Sequence, residues 1–118
     1  MNNRELLAAL KAAKGVDRKI DRAINRIANP GSGNPETPKY TGSINAALAF
    51  AERMLPGWEW RSGSRDADHA NDWPWAELLP PGWDGGDDYH GGNAPTAPLA
   101  IIIATLEALI AREESNAD

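Results

Sequence analysis

A chain of 118 residues with 42% hydrophobic and 25% charged residues has the size and balance of a single domain, residues 1–118, with a core of its own. The absence of cysteine excludes a disulfide framework, a thiol nucleophile and a thiolate metal site, and the longest apolar run, Leu99 to Ala104, falls far short of the about 20 residues that span a bilayer. The formal net charge of −5 argues against classical duplex DNA binding, and the polar start of the chain, without the apolar core of a signal peptide, predicts a cytosolic protein.

The first elements read as helices. Leu6, Leu7 and Leu10 recur at helical spacing before Gly15, and Asp17 opens a second helix as its cap. Ile20, Ile24 and Ile27 give that helix an apolar stripe, beside which Arg18, Arg22 and Arg26 form a cationic one. Asn29-Pro30-Gly31 ends it. The stretch from Pro30 to Pro38 is a connection rich in proline and glycine. Ser43 caps a third helix with Ile44, Ala47, Leu48, Ala51 and Leu55 as its buried stripe, and Pro56-Gly57 breaks it.

Trp58 to Ser62 alternates Trp, Glu, Trp, Arg and reads as a strand with both tryptophans on one face. Trp73 to Leu79 reads as a second strand, with Trp73, Trp75 and Glu77 on one face, and Pro74 predicts an edge position or a strand start. A two-stranded sheet is marginal alone, so a third strand is expected from residues 84–94 or from a partner chain. Pro98 lies in the first turn of the last helix. Its Leu99, Ile102, Ile103, Leu106, Leu109 and Ile110 make it the most apolar element and the expected centre, with fraying from Glu113 on. The order predicts an α+β domain, helices packed on a small antiparallel sheet of two to three strands.

These segments resemble the phage ABA sandwich domain, a small family of bacteriophage proteins. The matching pieces are Leu6 to Ile24 with its Gly15-Val16-Asp17-Arg18 link, Pro38 to Leu48 with Tyr40-Thr41-Gly42-Ser43-Ile44, Gly57-Trp58-Glu59-Trp60, and Thr96 to Leu109. The resemblance implies a phage or prophage origin and an α/β/α layered fold. It implies no activity, so it carries no catalytic residue over. The acidic stretches 66–72 and 84–88 depart from the family pattern.

Charge is unevenly spread. Residues 1–30 hold seven basic groups against Glu5, Asp17 and Asp21, whereas residues 66–118 hold Arg112 alone against eleven acidic groups. Such polarity is satisfied by attraction between the two ends of the chain, in the fold or in a homo-oligomer, or it marks two binding faces.

No nucleophile motif is present: Ser32, Ser43, Ser62, Ser64 and Ser115 lie in no Gly-x-Ser-x-Gly elbow. His69 and His90 sit in acidic loops that could converge on a metal but have no recognised ligand spacing, and hydrated, turn-rich loops are the reading preferred for both. Asp87 and Asp88 lack an evident means of desolvation for acid–base work. Trp58, Trp60 and Trp75 read as core at strand spacing. The functional alternative for the tryptophans is an aromatic platform, with Arg61 and Arg65 nearby, on which a nucleobase stacks; Trp83, in a Pro-Pro-Gly-Trp-Asp loop, is the tryptophan that reads as a ligand contact. Arg18, Arg22 and Arg26 either hold phosphate or form a solvated face paired with Asp17 and Asp21.

The reading is a non-enzymatic phage accessory protein that counters host defence by sequestering a small nucleotide between the arginines and Trp83. It needs no cofactor. An acidic decoy that blocks a host protein through Asp87, Asp88 and their neighbours is the alternative. A metal-dependent hydrolase using His69, His90 and the aspartates is the third reading.

Overall fold

The computed structural model describes residues 2–31, 36–63, 74–85 and 89–115. The elements follow as α1 (Asn3–Ala12), α2 (Arg18–Ala28), α3 (Ile44–Met54), β1 (Glu59–Gly63), β2 (Trp75–Leu79), β3 (His90–Asn93) and α4 (Ala97–Ser115). This is an α+β domain, four helices on a three-stranded antiparallel sheet.

Side-chain caps start the helices, because the first N–H groups of a helix have no partner inside it. Asn2 accepts from the Glu5 N–H, Asp17 from those of Lys19 and Ile20, and Ser43 from that of Ala46. At the far end of α2, Arg53 Nε donates to the Ala28 carbonyl, where both its hydrogen bond and its charge suit a helix C-terminus.

The strands lie in the order β1-β2-β3. Glu59 faces Leu79, Arg61 faces Glu77 and Gly63 faces Trp75 across one ladder; Glu77 faces Gly91 and Leu78 faces His90 across the other. The third strand thus comes from within 84–94. Alternation puts Ala76 and Leu78, both buried, on the side of α4, and Trp75, Glu77 and Arg61 on the other. Strand β2 is central although Pro74 adjoins it. The proline stands just before the strand, where it owes no ladder N–H, and its carbonyl accepts from the Ala94 N–H at 3.1 Å.

Helix α4 packs on the strands with one side and on α1 and α3 with the other. Every residue from Leu99 to Leu106 is buried, as a helix enclosed all round requires. The one polar side chain there, Thr105, donates to the Ile101 carbonyl at 2.8 Å. The backbones of α1, α2 and α3 make no close approach to the strands. The layers therefore run sheet, α4, outer helices, rather than placing the sheet between helical layers, and no described helix covers the sheet's second face. No described helix is long and apolar enough to cross a membrane.

Three packing expectations are corrected. Ile44, at the first turn of α3, is 48% exposed, and Phe50 is the large side chain that α3 buries. Trp60 is 47% exposed: it lies on the α4 side of edge strand β1, past the helix's cover. Glu113 and Glu114 are helical, tied by Asn3 and Arg4 of α1 at 2.8 Å each.

The Gly15-Val16-Asp17-Arg18 and Tyr40-Thr41-Gly42-Ser43 segments lock together. Asp21, with no exposure, accepts from the Thr41 N–H at 2.8 Å, the Thr41 hydroxyl at 2.7 Å and Arg18 Nη1 at 2.8 Å. Thr41 Oγ1 in turn accepts from the Asp17 N–H. A Cβ on Gly42 would lie 2.7 Å from Cγ2 of the exposed Val16 side chain, so a larger residue there requires Val16 to shift. A buried carboxylate is tolerated because donors surround it.

Candidate functional site

Two turns of one design frame the end of the sheet. In Leu55-Pro56-Gly57-Trp58 and in Pro80-Pro81-Gly82-Trp83 the fourth N–H donates to the first carbonyl, at 3.2 and 3.0 Å. Gly57 and Gly82 have φ of 84° and 75°, the third-position geometry of a type II turn after proline. The turns abut: a Cβ on Gly57 would stand 3.7 Å from the Pro81 ring. The repeated Pro-Gly-Trp triplet was the sequence signal for this frame.

The turns send their tryptophans to opposite faces. Trp58 packs on the core and lies over His90 on the α4 side, ring centroids 6.2 Å apart. Trp83 lies on the uncovered side, where Arg61 of β1 reaches it. The Arg61 guanidinium stands 5.1 Å from the Trp83 ring centroid and 5.9 Å from that of Tyr89. The two rings meet edge to face at 6.3 Å. Glu77, opposite on β2, takes Arg61 Nε at 2.8 Å. Each exposed cation–π contact is worth about 0.5–1 kcal/mol and the half-exposed ion pair about the same at most. Together they aim the guanidinium. Its Nη1 and Nη2 donate no hydrogen bond within the described residues. Further along this face Trp75 lies against Gly63, where a Cβ would meet its Nε1 at 2.6 Å.

Of the residues the sequence put forward, Arg61 and Trp83 come together. Tyr89 and Glu77, which complete the cluster, were not anticipated; only the cross-strand register brings them there. Arg65 lies outside the described residues, as do His69, Trp73, Asp87 and Asp88. Arg18 is corrected: its guanidinium is spent on Asp21 and on the Thr37 and Pro38 carbonyls, fixing the loop to α2. Arg22 and Arg26 are exposed, but among the helices and strands α2 approaches only α1 and α3, not the sheet. The arginine stripe and Trp83 are thus not two walls of one pocket.

His90 faces α4, on the opposite side of the sheet from Glu77. Among the described residues no three histidine or carboxylate side chains cluster as metal ligands. A groove of about 230 Å³ runs beside β3, with the 3.2 Å Lys11–Glu107 ion pair across it and Gly91 to Pro95 along it. Comparison with protein-family models, curated proteins and solved structures finds no match to this chain, so the site is read from its own geometry.

Proposed function

We propose that this is a binding protein rather than an enzyme, and that the uncovered sheet face holds a nucleotide on Arg61, Trp83 and Tyr89. The observation that carries the reading is the guanidinium held against an indole and a phenol on a face that no described helix covers. A base stacked on such an aromatic gains about 1–3 kcal/mol. The open Nη1 and Nη2 form a fork that fits two phosphate oxygens. Glu77 Oε1 holds Nε; on this reading its second oxygen accepts from a base amino group. In the phage setting that the family resemblance suggests, such binding serves counter-defence by withdrawing a nucleotide signal from the host. The acidic decoy turns on residues outside those described. The hydrolase reading has its one described histidine on the wrong side of the sheet.

Calorimetric titration with adenosine monophosphate, and with adenosine as the phosphate-free control, tests this. The monophosphate binds more tightly than adenosine, and Arg61→Ala removes that difference. Trp83→Ala weakens both ligands about tenfold or more, the loss of one stacking contact. Absence of binding for all four common ribonucleoside monophosphates overturns the proposal.

A further inference from the structure

Sheet edges expose unpaired N–H and C=O groups, and proteins guard them. The β3 edge is guarded: it is four residues long, contains Gly91 and Gly92, and leads into Pro95. Strand β1 is different. Its inner side pairs with β2, and among the described residues nothing pairs with its outer side. Glu59, Trp60, Arg61 and Ser62 are all exposed. Glu59 forms no ion pair, and Arg61 keeps Nη1 and Nη2 unbonded within the described residues.

We infer that β1 is the interface to a second copy of this chain, paired antiparallel about a twofold axis through Trp60. The charges select this register. An axis through Arg61 sets arginine against arginine, and one through Glu59 sets glutamate against glutamate. Through Trp60, Glu59 stands opposite Arg61 of the second copy, and Arg61 opposite its Glu59, two attractive pairs on the uncovered face. On the α4 side the two Trp60 side chains meet at the axis, which accounts for a tryptophan left 47% exposed at an edge. Such an interface is isologous and closed. It joins the two sheets into one of six strands and sets two Arg61 clusters on a continuous surface. The pairing stands without the nucleotide reading, since it uses the backbone edge and the Glu59–Arg61 register; an Arg61 Nη group that Glu59 of the second copy takes is not left for phosphate.

Sedimentation equilibrium of the full chain, from about 1 to 500 μM because a short edge buries little surface, tests it. The 12.7 kDa chain reaches twice that mass as concentration rises. Arg61→Glu and Glu59→Arg each put like charges opposite each other at both symmetric positions and raise the dissociation constant about tenfold or more. The double reversal, Glu59→Arg with Arg61→Glu, restores the dimer. That rescue separates the interface from general damage, and Glu59→Arg disturbs no ion pair of the described fold. A chain that stays monomeric throughout, or a dimer that both single reversals leave intact, overturns the inference.

Discussion

Tyr40 carries much of what individual residues contribute to this fold. Its ring is 4% exposed and meets Phe50 edge-on at 5.9 Å, and its hydroxyl donates to Asn25 Oδ1 at 3.2 Å. Burial pushes its phenol above the ordinary range, because the interior penalises the phenolate. The sign follows. The folded state holds the phenolic proton more tightly than the unfolded chain, so this stability is complete below the unfolded pKa, about 10. It is lost as pH rises through the folded value. Tyr40→Phe loses the Asn25 hydrogen bond and is less stable by about 1 kcal/mol at neutral pH, but it has no proton to lose. Urea midpoints of the two proteins between pH 7 and 11 converge above about pH 10. Curves that remain parallel would show that the phenol is not held neutral by the fold. Such a residue is hard to read from sequence. The caps Asp17 and Ser43 were legible because each acts within three residues of itself. Asp21 and Thr41, twenty residues apart, were not: pairing of Arg18 with Asp21 was the alternative to the ligand contact chosen for it, and its bonds to the Thr37 and Pro38 carbonyls had no sequence signal.

Among the elements, β3 shows how a short strand is held. A Cβ on Gly92 would stand 2.5 Å from the Ala100 carbonyl oxygen and 3.0 Å from the Ala104 nitrogen, both backbone atoms of α4. A Cβ on Gly91, pointing the other way, would meet Glu77 Cγ at 3.6 Å and the Ala76 carbonyl at 3.7 Å, ordinary contacts. Gly92→Ala therefore pushes β3 off the helix and costs about 3 kcal/mol. Gly91→Ala changes stability by less than about 1 kcal/mol, because it also restricts the unfolded chain. Equal losses in chemical denaturation would mean that β3 does not lie flat on α4. The elements themselves were largely legible, since the 3.6-residue period survives in α2 and the two-residue period in β2, while α4 is marked by its unbroken apolar run. What periodicity cannot supply is which side of a sheet the helices take. The alternation of Trp58 and Trp60 marked one face, and that face is covered by α4 over Trp58 but not over Trp60. The candidate site was half legible for the same reason. Trp83 stood out as a tryptophan in a turn, whereas Tyr89 and Glu77 join Arg61 only through strand pairing.

At the scale of the whole molecule, the opposite charges of the two ends meet in the fold. Arg4 pairs with Glu114 at 2.8 Å and Lys11 with Glu107 at 3.2 Å, each joining α1 to α4. These pairs are largely exposed, so each adds less than about 1 kcal/mol; they do not hold the layers together. Burial of α4 does. Among the described elements the sheet rests on α4 alone, α1 and α3 rest on its other side, and no outer helix approaches a strand. This arrangement predicts how the protein unfolds. All five tryptophans lie between residues 58 and 83, so fluorescence reports on the sheet side, while far-UV circular dichroism reports on the helices. A sheet held weakly would leave first, and fluorescence would change at lower denaturant than dichroism. Yet a three-stranded sheet without α4 is marginal, and α4 without the sheet exposes the side from which Ile103 reaches Gly92. Each layer thus removes the other's support when it leaves, and the loss is cooperative. The two urea transitions coincide, with midpoints within about 0.1 M; a fluorescence midpoint well below the dichroism midpoint would show that the sheet is a separate folding unit.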